Sequence, residues 1–358
     1  MSLDNVFMGK KVVQQIYLKN ALIYQSKGWE TLPSAPQVEW TKKFGSIGST
    51  TLADCAMDQD NNIYFLGLNY ICKISSEGGL VWKKTISSSI GMRMCIDHDN
   101  NIYIAVADNP GKVQKFDKNG NVVKTVDLSY RMDRFSDFIS DNDNLYLSGT
   151  YNNHYDDYLY VLDKSLNIIQ HRNTRADALI TSDESSYIYF SNTLNLKYIE
   201  KSNFISGDEI TININPPYNI TTSSANIIKL IMDDMGNIYY ITDSLGVYKY
   251  NINTKNTTKL SDARNVRKGL CLDYQNNIYC LKYSRSDSSS IAYLANLVKT
   301  SSDGTLIYDT QIFKTDSDTN LINGVLFADN NGNIYFIYEN SNNELLITKI
   351  INLVKKGN

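Results

Sequence analysis

The sequence predicts an all-β fold, a seven-bladed β-propeller with a β-hairpin-like extension at its N-terminus. Three observations carry this prediction. One phrase recurs seven times, it returns at a period of about 40 residues, and the chain is rich in Tyr, Ile and Asn with little amphipathic helical periodicity. A four-stranded propeller blade has about this period, and 358 residues are enough for seven of them.

The recurring phrase is an aspartate, a polar turn and then Asn-Ile-Tyr or a close variant, as in DQDNNIYF from Asp58. The polar residues suit a tight turn, and Ile-Tyr suits the strand that follows it. Residues 90–127 show the whole unit, with four short strands separated by Asn- and Gly-rich turns, which indicates one antiparallel blade. The anchoring tyrosines, spaced by 39, 43, 43, 50, 40 and 56 residues, are Tyr64, Tyr103, Tyr146, Tyr189, Tyr239, Tyr279 and Tyr335.

The two ends of the chain are expected to share the last blade. Residues 345–350, LLITKI, form a third strand after Tyr335, but the tail beyond them leaves little room for a fourth. Residues 38–44, VEWTKKF, resemble the outer strand VWKKTI at 81–86. We therefore predict that the N-terminal strand completes the last blade and closes the ring, which removes exposed sheet edges.

Residues 1–34 are predicted to be a separate attachment segment and linker, and residues 35–358 to be the propeller. The runs VVQQIYL and ALIYQ flank the turn Lys19-Asn20 and predict a hairpin, and PSAP follows as a stiff linker. A lone hairpin is marginal in water and should dock on something, either a partner or the side of the propeller. Its expected apolar anchors are Tyr17, Leu18, Ile23, Tyr24 and Trp29.

Charge and hydropathy exclude several classes of partner. The net charge is −3 and no block of like charges occurs, so no nucleic-acid partner is expected. No run of about 18 apolar residues predicts a membrane span. The N-terminus lacks the apolar run of a secretory signal, so synthesis in a cytoplasm is expected.

No metal or cofactor is expected. The spacing Asp58, Asp60, Asn62 superficially resembles a calcium loop, but Asn69 stands where the twelfth-position Glu would be, so turn-forming residues are the favoured interpretation. The five cysteines show no CxxC spacing, which indicates neither a disulfide framework nor a zinc site. Three of them precede a repeated Asp and are interpreted as small core hydrophobes, namely Cys55, Cys95 and Cys271.

The sequence predicts no enzyme. The three histidines fall at non-equivalent places in the repeats, and no GxSxG, HExxH or P-loop signature occurs. Cations on or near the inner strands could form either an anion site or a solvated channel rim, and they are Arg93, Arg134, Arg175, Lys229 and Arg267.

Insertions predict a binding face. Turns between strands one and two, and three and four, are short, whereas long loops at 151–157, 215–225, 284–290 and 314–320 all belong to the opposite face. The first of these combines aromatic and carboxylate side chains, the chemistry of sugar binding, although drift of a surface loop would also account for it. The ligand-face candidates are Tyr151, His154, Tyr155, Asp157 and Tyr158.

The Asp-x-x-Gly/Asn-Asn-Ile-Tyr pattern resembles the blade repeat of NHL-like bacterial seven-bladed propellers over about residues 38–350. Propellers of this kind host enzymes, scaffolds and binders alike. The phrase Ile16-Tyr17-Leu18 followed by Ile23-Tyr24 resembles attachment modules in tail proteins of phages of low-GC Gram-positive bacteria.

This second resemblance implies a structural or binding component of a phage tail or of a phage-tail-like bacteriocin (tailocin), in the baseplate or tail-fibre region. The N-terminus would anchor to a tail or baseplate protein, and the propeller would be displayed toward a partner or a cell-surface glycan. Such a chain would belong to a particle released by lysis. The alternatives are an NHL-like scaffold for protein–protein interaction and a propeller enzyme of the lactonase or lyase type.

Overall fold

The chain is a seven-bladed β-propeller. The computed structural model describes residues 6–8, 11–13, 15–18, 21–25, 29–31, 36–44, 52–86, 92–151, 156–180, 185–192, 195–212, 226–233, 235–242, 246–261, 269–273, 275–285, 293–314, 324–339, 344–351 and 353–355. Within these residues, seven antiparallel four-stranded sheets follow one another, as the sequence predicts. The first strands of successive blades contact one another around a central channel, so each blade runs from an inner first strand to an outer fourth strand.

We number the blades in chain order. Blade 1 has strands Asp54–Met57, Ile63–Leu66, Tyr70–Ile74 and Leu80–Thr85; blade 2 has Arg93–Ile96, Ile102–Val106, Lys112–Phe116 and Val122–Asp127; blade 3 has Arg134–Ser140, Asn144–Tyr151, Asp156–Asp163 and Ile168–Asn173. Blade 4 has Ala178–Ile180, Tyr187–Asn192, Asn195–Glu200 and Ile210–Ile212; blade 5 has Ile227–Met232, Ile238–Thr242, Gly246–Asn251 and Asn256–Ser261. Blade 6 has Leu270–Leu272, Ile278–Arg285, Tyr293–Thr300 and Leu306–Lys314; blade 7 has Val325–Ala328, Ile334–Glu339, Leu345–Ile351 and, from the N-terminus, Gln37–Phe44.

Ring closure by both termini is confirmed. Gln37–Phe44 pairs antiparallel with Leu345–Ile351, with Phe44 opposite Leu345 and Gln37 opposite Ile351. The N-terminal strand is thus the outer strand of the last blade.

Two tryptophans explain why the closing strand resembles an outer strand of blade 1. Trp40 covers Gly78 in the turn between strands three and four of blade 1, and Trp82 covers Gly120 in the same turn of blade 2. Both glycines have positive φ, +72° and +76°, and a Cβ there would lie within about 3.0 Å of the indole ring. Trp40 and Trp82 therefore make equivalent contacts, Trp40 from blade 7 to blade 1 across the closure point and Trp82 from blade 1 to blade 2.

The repeated aspartate organises a buried polar cluster. In blade 1 its carboxylate, on Asp58, accepts hydrogen bonds from the backbone N–H of Asp60 (3.0 Å) and Asn62 (2.8 Å). It also accepts one from the Tyr64 hydroxyl (3.0 Å), and Lys73 adds an ion pair at 3.1 Å. The hydrogen bonds from the two backbone N–H groups to Asp58 are those of the predicted turn. The tyrosine-to-aspartate hydrogen bond recurs from Tyr103 to Asp97, Tyr146 to Asp141, Tyr239 to Asp233, Tyr279 to Asp273 and Tyr335 to Asp329. Asp183, the counterpart in blade 4, lies outside the described residues.

A lysine faces the anchoring tyrosine across the sheet, a partner that the repeat in the sequence does not indicate. Its ammonium lies 4.9–5.9 Å from the ring centroid, a cation–π distance. In blade 3, Lys201 reaches in from the next blade and binds Asp141 at 2.6 Å. The cross-strand pairs are Tyr64 with Lys73, Tyr103 with Lys115, Tyr239 with Lys249, Tyr279 with Lys299 and Tyr335 with Lys349.

The N-terminal segment contains the predicted hairpin. Gln15–Leu18 pairs antiparallel with Ala21–Gln25, and Val6–Met8 pairs with Lys11–Val13. Trp29–Thr31 pairs with Leu353–Lys355, so the segment before the ring is also tied to the C-terminal tail. The side chains of the predicted anchors Tyr17, Leu18, Ile23, Tyr24 and Trp29 lie outside the described part of the structure, and the domain boundary at residue 34 stays a prediction.

Helix is almost absent from the part of the chain that the structure describes. One short 3-10 helix, Lys201–Asn203, lies in blade 4. Among the described residues, none of the helical structure is long and apolar enough to cross a membrane.

Candidate functional site

The blade topology creates two faces with different loops. In the six blades whose aspartate turn is described, the first strand ends at that turn, so the turns between strands one and two and between strands three and four share one face, the turn face. Connections between strands two and three, and between blades, emerge on the other, the loop face. The predicted insertions belong to the loop face, although 152–155, 213–225, 286–292 and 315–323 lie outside the described residues.

The chain ends leave the ring at the turn face. In blade 7, the third strand runs toward that face and ends at Ile351, where Leu353–Lys355 continues and pairs with Trp29–Thr31. The closing strand begins at Gln37, opposite Ile351. The N-terminal segment and the long loops therefore attach to opposite faces of the propeller.

A central channel of about 510 Å³ is lined by the inner strands. Two carboxylates on it join neighbouring blades. Asp54 accepts a hydrogen bond from the backbone N–H of Met94 (3.1 Å), and Asp137 accepts one from that of Leu179 (2.8 Å). Because each carboxylate serves the next blade's inner strand, its role here is structural.

Four of the five predicted channel cations belong to the described residues, and their surroundings differ. Arg93 donates to the carbonyl oxygens of Ser136 and Met92, each at 2.8 Å. Arg175 pairs with Asp177 at 3.0 Å, and Lys229 lines the channel. Arg134 is exposed at the start of blade 3, and Arg267 lies outside the described residues. The four described cations thus favour the solvated-rim interpretation over a single anion site.

The five cysteines are buried free thiols. Cys55, Cys95 and Cys271 border the channel. Burial raises the pKa of Cys95 and Cys271 well above the ordinary value, and it raises the pKa of Cys72 to about 12. Protonated, buried thiols of this kind behave as small hydrophobes.

Aromatic side chains meet on blade 3, near the loop face. Tyr130 stacks on Tyr158 with ring centroids 4.5 Å apart and an interplanar angle of 20°. Tyr151 lies 6.2 Å from Tyr130, and the His171 imidazole meets the Tyr130 ring edge-on at 5.6 Å. We call Tyr130, Tyr151, Tyr158 and His171 the tyrosine ledge. All four are partly exposed, and Tyr130 retains 36% of its accessible surface.

Strand register builds the ledge. Tyr158 and Tyr160 are two residues apart, so their side chains lie on the same side of the third strand. Tyr158 lies opposite Gly149 on the second strand, and Tyr160 lies opposite His171 on the fourth. Gly149 has no side chain, and the space above it is filled by Met132, from the connection that also carries Tyr130. The ledge therefore lies where blade 3 packs against blade 2.

Two of the predicted ligand-face residues belong to the ledge, Tyr151 and Tyr158. Asp157 points to the opposite side of the strand, where its Oδ1 accepts a hydrogen bond from Thr150 at 2.7 Å. His154 and Tyr155 lie outside the described residues. Sequence reasoning missed Tyr130 and His171, because one comes from a connection between blades and the other is joined to the tyrosines only by cross-strand register.

Beneath the ledge, Tyr160 is fully buried and stacks on His171 at 5.3 Å. Its hydroxyl has no hydrogen-bond partner among the described residues, and burial raises its pKa. A buried hydroxyl without a partner costs about 1–3 kcal/mol.

We therefore expect Tyr160→Phe to leave stability unchanged or to raise the free energy of unfolding by about 1 kcal/mol. Tyr64→Phe is the matched control, since Tyr64 is equally buried and donates to Asp58, so its loss should lower stability by about 1–3 kcal/mol. Denaturant unfolding of both variants measures the difference. Equal destabilisation by the two substitutions would show that the Tyr160 hydroxyl has a partner.

No protein-family model matches the chain, and no curated protein matches it in sequence. Solved structures share its fold. BamB from Moraxella catarrhalis is 10% identical with a TM-score of 0.55, the match covering 88% of this chain and 100% of that chain. The WD40 β-propeller domain of Doa1 is 10% identical with a TM-score of 0.59, covering 88% and 97%. PorZ, a surface component of the type-IX secretion system of Porphyromonas gingivalis, is 10% identical with a TM-score of 0.53, covering 82% of this chain but 36% of that chain. At such identity the likeness is one of fold, and the fold that these proteins share with this chain is the β-propeller.

Proposed function

We propose that this chain is a non-enzymatic binding component of a phage tail or phage-tail-like bacteriocin. Its N-terminal segment attaches it to a tail or baseplate protein, and its propeller is displayed toward a partner or a cell surface. One observation carries the proposal: the N-terminal segment leaves the ring at the turn face, whereas the long loops and the tyrosine ledge lie toward the loop face. A chain held at one face would present the other outward.

The resemblance of Ile16-Tyr17-Leu18 and Ile23-Tyr24 to tail attachment modules supports attachment to a tail particle. The paired hairpin supports docking by this segment, because a lone hairpin is marginally stable in water. The pairing of Trp29–Thr31 with Leu353–Lys355 would transmit the attachment to the ring through two chain ends. A non-catalytic role is supported by the channel, whose carboxylates Asp54 and Asp137 accept backbone hydrogen bonds between blades.

The second candidate is a free propeller scaffold for protein–protein interaction. It is favoured by the use of this fold for many unrelated binding functions, and PorZ is itself a bacterial surface component. It differs from the first proposal in needing no particle.

The test uses tail particles that lack this protein. The purified full chain should associate with them on mixing, and a variant that lacks residues 1–34 should not, because it has lost the hairpin but keeps the closing strand. A Tyr187→Leu chain is the control for nonspecific effects of a surface substitution, since Tyr187 is 38% exposed on the propeller. Equal association of the full and shortened chains would reject the anchor, and failure of both would favour the free scaffold.

A further inference from the structure

We propose that the tyrosine ledge binds a neutral pyranose sugar by stacking on Tyr130. The inference rests on the proposed function only in taking the loop face as the binding face. Its site consists of Tyr130, Tyr151, Tyr158 and His171, two of which the sequence did not point to.

Ring geometry on the ledge favours a stacked ligand. Tyr158 stacks nearly parallel against one face of Tyr130, and His171 abuts its edge, which holds the ring in a defined orientation. Tyr130 retains 36% of its accessible surface, and this exposed part of the ring can accept a second flat partner. An aromatic face carries negative electrostatic potential, which attracts the polarised C–H groups on one face of a pyranose.

The groups around the stacking ring favour a polar, uncharged ligand. Tyrosine hydroxyls and an imidazole surround the stacking ring and can donate or accept hydrogen bonds to sugar hydroxyls. Arg131, the residue after Tyr130, binds Asp133 at 2.9 Å, so these two charges neutralise each other. Asp157 faces the other side of the strand, where it binds Thr150, so it adds no charge to the four ledge side chains. A neutral sugar fits this surface better than an anionic one.

The exposed area of the ledge limits the size of its ligand. An aromatic side chain buries about 150–250 Å² when it is covered completely. The three tyrosines of the ledge are about one third exposed or less, so they offer at most roughly 250 Å². A stable protein interface needs about 800 Å² from each partner. A ligand of one or two sugar rings suits the available surface.

The experiment titrates the isolated full chain with a panel of neutral methyl pyranosides (glucoside, galactoside, mannoside and N-acetylglucosaminide). Saturation-transfer NMR reports contact, and tyrosine fluorescence reports affinity. At least one pyranoside should bind with a Kd of about 1–10 mM, a weak affinity that display in many copies would strengthen.

Three variants locate the binding. Tyr130→Phe keeps the ring and should retain affinity within about threefold, whereas Tyr130→Leu and Tyr151→Leu should weaken binding, the former by about tenfold or more. Tyr187→Leu is the matched control, a similarly exposed tyrosine in blade 4 that meets Tyr198 edge-on. It should bind like the unaltered chain, and a thermal melt of each variant verifies folding.

Absence of binding by every pyranoside at about 50 mM would overturn the proposal. Equal binding by Tyr130→Leu and Tyr187→Leu would also overturn it. A proline-rich peptide is titrated as an alternative ligand, since such peptides dock on aromatic surfaces. Tyr130-dependent binding of that peptide without any sugar binding would assign the ledge to a protein partner instead. Because the chain is tested alone, failure here is distinct from failure to join a tail particle.

Discussion

Removal of residues 1–45 is expected to unfold the whole propeller, whereas removal of residues 1–34 should leave it folded. The longer deletion takes away Gln37–Phe44, so the backbone of Leu345–Ile351 loses its partner. It also removes Trp40, which packs on Gly78 of blade 1 and edge-on against Tyr335 of blade 7. Total stabilities of 5–15 kcal/mol are too small to absorb the loss of an entire strand at the closure point. The shorter deletion removes the pairing of Trp29–Thr31 with Leu353–Lys355 and leaves all seven four-stranded sheets complete.

Thermal unfolding followed by circular dichroism compares the two deletions with the full chain. The 1–34 deletion should melt cooperatively within a few degrees of the full chain, and the 1–45 deletion should show no cooperative transition near it. A synthetic peptide of residues 35–46 added to the longer deletion should restore the transition in a concentration-dependent way, since binding to the native state stabilises it. Identical melting of the two deletions would contradict closure by the N-terminal strand.

Substitution of the repeated aspartate should be the most damaging single change in a turn. Asp58→Ala removes an acceptor that serves two backbone N–H groups, the Asn62 amide, the Tyr64 hydroxyl and the Lys73 ammonium. Lys73 is largely buried, and a buried charge that loses its partner costs about 3–5 kcal/mol. We expect the free energy of unfolding to fall by about that amount.

Asp117→Ala is the matched control. Asp117 accepts the same kind of turn hydrogen bonds, from Asn119 and Asn121 at 2.9 Å, but it is partly exposed, and among the described residues no tyrosine or lysine is hydrogen-bonded to it. Its loss should shift the melting temperature far less than the loss of Asp58. Adding Lys73→Met to Asp58→Ala should recover part of the stability, because it removes the unpaired charge. If Asp58→Ala and Asp117→Ala melt alike, the buried cluster does not contribute as proposed.

Local patterns were sufficient for the architecture. The Asp-to-Tyr phrase combines a turn and a strand within eight residues. Its seven recurrences, at the period of one blade, therefore predict the number of blades. The turn interpretation succeeds for the same reason, since Asn61, Asn100 and Asn276 adopt positive φ of 60–63° in the turns where the sequence has Asn. Ring closure was also predictable, because Trp40 and Trp82 stand in similar outer-strand sequences.

Contacts between distant residues required the tertiary structure. The lysines that face the anchoring tyrosines are 9–20 residues away along the chain, at a separation that depends on the length of each loop between strands. The tyrosine ledge joins Tyr130, from a connection between blades, to Tyr158 and His171 on two strands of the next blade. Side-chain alternation then separates Asp157 from Tyr158, its immediate neighbour. The sequence by itself determined the repeat, its turns and the closing strand, because these depend on neighbouring residues. Only the tertiary structure decided which side chains share a surface, because that depends on cross-strand register and on the packing of one blade against the next.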